Sequence, residues 1–349
     1  MKIVHIESGL GNQMLSFCEY LALKQCLPEE EIYIENIIYD ISECNEIICQ
    51  WNGYELERIF GINVPNIKEK FSESEWQQLL NKIKASNFWD KNWNYPVYFC
   101  QAFEQMGLTL KNIRGDFENC GIAMTASSKK SLSQRIKNCR LGDWFSRYYF
   151  KLIEEKKLNS VCNIQNVFLS TNEDIFTGQW LSFKLRNNDI EKIDALIRQT
   201  FIFPEFSEQQ NIDMSKFLAE TNSVAIHARR GDMLGFNGYC YKYGYFRRAV
   251  KHIKKHVSNP VFVFFCDPGS VEWCKENEKV FGLNFAKDKV YFVDWNKGES
   301  SYRDMQLMAM CKHAIITNSS FGWWGAYLIK NKDKITISPH ITINTTYHC

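Results

Sequence analysis

Residues 227–232, HARRGD, place a histidine, two adjacent arginines, a glycine and an aspartate directly after the apolar run SVAI. Paired arginines suit phosphate oxygens, because a guanidinium binds them through two parallel donors and does not lose its charge. Gly231 lets the backbone turn closely, and Asp232 either holds one guanidinium or acts on a substrate. A solvated arginine–aspartate pair, worth little, is the plain alternative. In ESGLGNQM, 7–14, Gly9 and Gly11 precede Asn12 and Gln13 where a helix begins. Backbone amides at a helix N-terminus attract anions, although Gly-x-Gly is equally an ordinary turn. In ITNSSFGWWGAYL, 315–327, Asn318, Ser319 and Ser320 mark a strand-to-helix junction. An N-cap explains one small polar residue there, and three exceed that need. Asp304 heads the preceding helical stretch. Its carboxylate either complements the helix N-terminus or accepts two hydrogen bonds, as a guanine edge requires.

The rest of the chain makes any positive site a local one. Lysine plus arginine number 42 against 40 for aspartate plus glutamate, a formal charge of +2, so nothing global draws the protein to nucleic acid or to a membrane surface. Asp-x-Asp is absent and the histidines are scattered. A metal bridging a diphosphate is therefore not expected, and arginine and helix amides would carry that charge. Thirteen cysteines, an odd number never spaced Cys-x-x-Cys, fit a reduced chain rather than a zinc site or a disulfide framework. The opening MKIVHIESGLGN lacks the apolar core of a secretory signal, and no run approaches the ~18 apolar residues that span a bilayer. A cytoplasmic protein is expected, with contact at the inner face of the membrane left open.

These residues need elements to hold them. Residues 2–6 predict a strand, followed by a helix with Met14, Phe17, Cys18 and Leu21 on one side. Helices are predicted near 72–85, 128–157 and 189–199, and Pro204 with a polar run marks the end of a domain. Beyond it strands alternate with helices: SVAIHA, PVFVFFC, KVYFVD, AIITN and KITIS with helices at 245–257, 271–281, 301–313 and 320–331. Near-continuous apolar strands separated by helices imply a parallel sheet covered on both faces, and Trp323 and Trp324 are expected between helix and sheet. Two domains, 1–210 and 211–349, suit the length, because single cores stop growing at about 250–300 residues.

Three of the stretches together resemble the GDP-fucose-dependent α-1,2-fucosyltransferases, glycosyltransferase family 11, of bacterial type. That family shows Gly-Gly-Leu-Gly-Asn-Gln-Met, His-x-Arg-Arg-Gly-Asp and Asn-Ser-Ser-Phe-Ser-Trp-Trp-Gly-Ala. Here they stand as SGLGNQM (8–14), HARRGD (227–232) and NSSFGWWGA (318–326), and 296–313 resembles the run before the last motif. The resemblance implies an α/β, GT-B-like architecture, two Rossmann-like domains facing each other across a cleft. The implied activity is that of an inverting, metal-independent galactoside α-1,2-fucosyltransferase with no cofactor, moving L-fucose from GDP-β-L-fucose to the 2-hydroxyl of a galactoside in a surface glycan. The implied partners are GDP-fucose and a galactose-terminated oligosaccharide or glycolipid.

By the same resemblance Arg229 binds the β-phosphate, His227 and Arg230 shape that pocket, Asp304 reads guanine, and Asn318, Ser319 and Ser320 line the diphosphate. Gly9, Gly11 and Asn12 close over the donor from the first domain. Asp232 is the candidate general base, with Glu7 and His227 in reserve or the leaving phosphate assisting. Ser8 in place of a glycine and Gly322 in place of a serine are departures expected to be tolerated. The segment 178–186 keeps Gly178, Trp180, Ser182 and Lys184 of a family stretch but not its glutamine or glutamate, so the acceptor or linkage is open. Another GDP-6-deoxysugar, another fucose linkage or a silent glycan-binding protein are the competing readings. A dinucleotide dehydrogenase is disfavoured, since neither half has a complete Gly-x-Gly-x-x-Gly.

Overall fold

The computed structural model describes residues 1–44, 52–88, 95–112, 173–178, 187–231 and 234–339. Among these the chain divides into two compact units, one ending at Phe201 and one beginning at Ile202. The division thus precedes the expected boundary at 210, and Arg303 supplies the reason. Its Nη1 donates to Pro204 O at 2.7 Å and its Nη2 to Glu205 O at 2.9 Å, while Gln306 Nε2 donates to Pro204 O at 2.9 Å. Its guanidinium also lies over the rings of Phe206 and Tyr302. The stretch after Phe201 is therefore fastened to the second unit.

The first unit holds strands β1 (Lys2–His5), β2 (Ile32–Glu35), β3 (Lys111–Asn112) and β4 (Ile175–Thr177) in a parallel sheet of order β2-β1-β4-β3. Its helices are α1 (Leu10–Cys26), α2 (Leu56–Phe60), α3 (Glu73–Ala85), α4 (Tyr95–Gln105) and α5 (Asn187–Thr200). The pattern at 72–85 is realised in α3, which Ser72 and Glu75 close with a reciprocal capping box. Its Trp76, Leu79, Leu80 and Ile83 recur at helical spacing and are buried with Ile3, Phe99, Phe103 and Phe176. The predicted helix at 128–157, and the 178–186 segment after Gly178, lie outside the described residues.

The second unit contains α6 (Gln209–Glu220), β5 (Asn222–Ala228), α7 (Leu234–Lys242), α8 (Tyr245–His256), β6 (Pro260–Cys266), α9 (Val271–Glu276) and α10 (Glu278–Phe281). It continues with β7 (Lys289–Val293), α11 (Tyr302–Met310), β8 (His313–Ile316), α12 (Ser320–Tyr327) and β9 (Thr336–Ile337). The five strands form a parallel sheet of order β7-β6-β5-β8-β9. Alternate side chains serve opposite faces: Val224, Ile226, Phe262 and Phe264 pack with Phe246, Val250 and Phe281, whereas Ala225, Val263 and Phe265 pack with Leu218, Leu307, Met308 and Ala326. Fully burying each such phenylalanine or leucine contributes about 1.5–3 kcal/mol. The predicted helix at 271–281 breaks at Asn277, whose side chain turns back to donate to Trp273 O at 2.7 Å. Trp324 is buried as expected, while Trp323 is half-buried and stacks on Tyr327.

Between β1 and α1 the chain turns at Ser8, whose φ of +64° lies in the left-handed region that favours glycine. Neighbouring polar groups over-determine the turn. The buried amide of Gln13 donates to Ser8 O and to Gly53 O, each at 2.9 Å, and accepts the Glu55 N–H at 2.9 Å. Tyr39 donates its hydroxyl to Ser8 O at 2.6 Å. A left-handed non-glycine residue costs roughly 1–2 kcal/mol, and the extra chain entropy that glycine loses on folding offsets about half of that. Ser8→Gly is therefore expected to stabilise the protein by about 0.5–1 kcal/mol in urea unfolding, and a lowered midpoint would contradict the assigned strain.

Candidate active site

Because the five strands of the second sheet run one way, the segments that follow them gather along one edge. The chain leaves β5 for β6 and β7 on one side, then returns to place β8 on the other side of β5. The crevice outside the carboxyl ends of such a pair is where open α/β sheets bind ligands. HARRGD leaves the end of β5 and NSS leaves the end of β8, so two motifs distant in sequence flank one switch point.

Main-chain contacts fix the two loops together. Thr317 N–H donates to His227 O at 3.2 Å, and Arg229 N–H donates to Thr317 Oγ1 at 3.2 Å. The buried Asn237 of α7 donates from Nδ2 to Arg229 O (3.2 Å) and Asn318 O (3.3 Å), and its Oδ1 accepts the Asn318 N–H at 3.0 Å. Tyr241 adds a hydroxyl donor to Arg229 O at 3.1 Å. From the end of β6, Asp267 Oδ1 accepts the Arg230 N–H at 2.9 Å, and its Oδ2 accepts the Gly231 N–H at 2.6 Å and the Ser270 hydroxyl at 2.8 Å. Bonds in which one partner is ionised are the stronger kind.

The side chains on this frame differ in character. Arg229 is half-buried, with Nε 3.9 Å from Asp267 Oδ1. Arg230 sets its guanidinium carbon 3.3 Å from the ring centre of Trp273 and 5.0 Å from that of Tyr241, a cation–π arrangement. His227 is buried and stacked on Phe321, and its Nδ1 has no hydrogen-bond partner among the described residues. Burial, then the charge of Arg229, push its pKa down to about 4 against the pull of Asp267, leaving a neutral ring that is a weak base. Asp232 lies outside the described residues.

Asp304 stands in the first turn of α11, and its Oδ1 accepts from Asn296 Nδ2 at 2.8 Å. Asn296 is in turn paired with Asn211, which also takes the Trp295 indole N–H at 2.8 Å. Burial pushes the Asp304 carboxyl up to about 7, with the charge of Asp294 adding and the Asn296 bond opposing. Ser319 occupies the N-cap position of α12 but makes no side-chain cap bond, so capping is not what its hydroxyl does. Ser320 is half-buried beside it, and Asn318 is buried.

In the first unit Gly9 is the N-cap of α1, and its carbonyl accepts the N–H groups of Asn12 and Gln13 at 2.9 and 3.1 Å. Gly11 lies in the first turn of that helix. The buried Glu55 is tied to this helix, its N–H donating to Gln13 Oε1 at 2.9 Å, and its carboxylate accepts from Arg58 Nη2 at 2.6 Å. Sequence reasoning missed Asp267, Asn237 and Thr317. An acidic residue directly after the buried strand PVFVFFC was a usable signal for Asp267; a single asparagine inside LGFNGYCYK gave none.

The profile described as Glycosyl transferase family 11 matches residues 122–348, well over half of the chain. The chain belongs to glycosyl transferase family 11. The matched stretch contains both loops of the switch point, and the glycine loop precedes it. Among curated proteins, the alpha-1,2-colitosyltransferase of Escherichia coli is 39% identical over 135 residues, 36% of this chain and 43% of that protein. The O-antigen biosynthesis glycosyltransferase WbnK of Escherichia coli is 34% identical over 126 residues, 34% of this chain and 38% of that protein. Galactoside alpha-(1,2)-fucosyltransferase 1 of Saimiri sciureus is 34% identical over 110 residues, 30% of this chain and 28% of that protein. The match thus spans less than half the length of these relatives. Among solved structures, NodZ alpha-1,6-fucosyltransferase co-crystallised with GDP aligns over 93% of this chain and 90% of that chain at 11% identity, with a TM-score of 0.46.

This family 11 chain carries Gly322 where the pattern it resembles has serine, and the ring of His227 fills the space released. A Cβ at 322 would stand 2.4 Å from His227 Nδ1 and 2.9 Å from Cγ. The ring is buried against Phe321, so it has little room to yield. Gly322→Ala is expected to cost about 1–3 kcal/mol in chemical denaturation through overpacking. An unchanged unfolding midpoint would show that the ring moves freely.

Proposed function

We propose that this family 11 chain is an inverting galactoside α-1,2-fucosyltransferase that takes L-fucose from GDP-β-L-fucose without a metal. In this reading the two units are the Rossmann-like halves of a GT-B enzyme, and the second holds the donor. The observation that carries it is the convergence of the arginine loop and the Asn-Ser-Ser loop on the β5–β8 switch point. Charge develops on the departing β-phosphate as the sugar bond breaks, and a prepositioned cation stabilises it at no cost in reorganisation. Arg229 is assigned that phosphate. Arg230, fixed on Trp273, lines the same pocket with His227, and Asn318, Ser319 and Ser320 offer small polar groups to the diphosphate. Asp304 is assigned the guanine edge. Gly9, Gly11 and Asn12 are assigned to the donor from the first unit, through close approach of the backbone at the start of α1.

The acceptor is proposed to be a galactose-terminated glycan or glycolipid met on the cytoplasmic side, with peripheral contact to the membrane. No helix among the described residues is long and apolar enough to cross one. A second reading, transfer of another GDP-linked 6-deoxysugar in the same linkage, is favoured by the similarity to the alpha-1,2-colitosyltransferase of Escherichia coli. Turnover of the two GDP-sugars in competition separates these readings, and NMR of the product fixes the linkage.

Arg229→Ala is expected to lower turnover with GDP-fucose by about 10²–10³-fold, or ~3–4 kcal/mol of transition-state stabilisation. Near-normal turnover at saturating donor would remove Arg229 from the phosphate. Asp304 gives a pH signature. With its carboxyl at about 7 in the free protein, acidification protonates it and removes an acceptor for the guanine N–H groups. GDP affinity should therefore fall below pH 7, by at most about tenfold per pH unit, more steeply than in Asp304→Asn. Parallel pH profiles for the two proteins in titration calorimetry would refute the guanine assignment.

A further inference from the structure

Asp304 is the last member of a chain of hydrogen bonds that begins outside its own helix. The segment after β7 carries Trp295 and Asn296, and α6 carries the fully buried Asn211. All of them lie in the second unit. Asn211 Oδ1 accepts the Trp295 indole N–H at 2.8 Å and Asn296 Nδ2 at 3.1 Å. In return Asn211 Nδ2 donates to Asn296 Oδ1 at 2.9 Å and to Glu208 Oε2 at 3.4 Å. The other hydrogen of Asn296 Nδ2 reaches Asp304 Oδ1 at 2.8 Å. Both hydrogens of each amide are thus used.

The polarity of this chain is set at its start. An indole nitrogen only donates, so the Asn211 atom that meets Trp295 must be the oxygen. That choice turns the Asn211 nitrogen toward the Asn296 oxygen, and so the Asn296 nitrogen toward Asp304. With both amides reversed, the Asn296 carbonyl would face Asp304 and favour its protonated form, while N–H would meet N–H at the indole. Burial works against the charge of Asp304 and Asp294 adds to that, whereas the Asn296 N–H favours it. Around it stand the Cys266 thiol at the end of β6 and, behind Asn211, Glu208 paired with Arg303. The helix α12, packed on α11, carries neither a carboxylate nor a cation.

We propose that Trp295, Asn211 and Asn296 are positioning residues that hold Asp304 as an ionised acceptor for the guanine edge. The inference rests on the guanine assignment above. Asn296 takes one lone pair of the carboxylate, which keeps about three more for the guanine N1–H and 2-amino group. The indole N–H of Trp295 therefore acts on nucleotide choice through two amides and a carboxylate.

The test compares, by calorimetry across neutral pH, the binding of GDP with that of inosine diphosphate, whose base lacks the 2-amino group. The proteins are the wild type, Trp295→Phe, Asn296→Ala and Asp304→Asn. Trp295→Phe keeps an aromatic ring and removes the N–H that sets the polarity, and Asn296→Ala removes the donor itself. Each is expected to cut the preference for GDP by roughly tenfold, the scale of a hydrogen bond to a charged group. Each should also move upward the pH below which GDP affinity falls, because a carboxylate that loses a donor is protonated more readily. On the Asp304→Asn background neither substitution should lower the preference further, a coupling that a general loosening of the fold would not produce. Either variant decides the matter where the other does not fold. A folded Trp295→Phe or Asn296→Ala with the wild type's preference and pH profile, both of which Asp304→Asn loses, would overturn the proposal and leave the guanine assignment standing. A wild type with no preference for GDP, or Asp304→Asn that keeps it, overturns the assignment beneath.

Discussion

Two backbone amides on one carboxylate set the geometry of the second unit. Asp267 leaves β6 and accepts the N–H groups of Arg230 and Gly231, so the loop after β5 is held by the strand beside it. Asn237 and Thr317 tie the same loop to the strand on the other side. Without these contacts the arginines would stand on a free segment, which would lose backbone entropy on becoming ordered. With them, that cost is met during folding and the loop that carries the arginines is in place beforehand.

Two buried histidines show how the same residue is driven in opposite directions. His227 neighbours the cation of Arg229, and burial and that charge together keep its ring neutral. His5 is equally buried but stands between two carboxylates, which favour its cation. Burial alone does not set the state of either ring; the sign of the adjacent charge does.

Much of the second unit was legible in the sequence because its strands are short apolar runs and its helices are amphipathic. Both signals arise from burial on two faces and survive without knowledge of partners. The motifs at the ends of β5 and β8 were legible for the same reason: once the strands are placed, the ends follow. The meeting of the two motifs was not, since strand order depends on which elements cover which face. Asp267, Asn237 and Thr317 were missed because their roles consist of bonds to main chain that is remote in sequence. Glu55 beside α1 belongs to the same class, its N–H held by the side chain of Gln13. The departure at Ser8 appeared innocuous as a letter, and only the backbone angle exposes its cost.

The frame around the arginine loop is built almost entirely on peptide groups: amides on Asp267, carbonyls on Asn237 and Tyr241, an amide on Thr317. Such a frame is indifferent to the side chains it carries. A substitution at position 229 is therefore expected to leave the loop's shape intact, so selection on what the loop meets acts there separately from selection on folding.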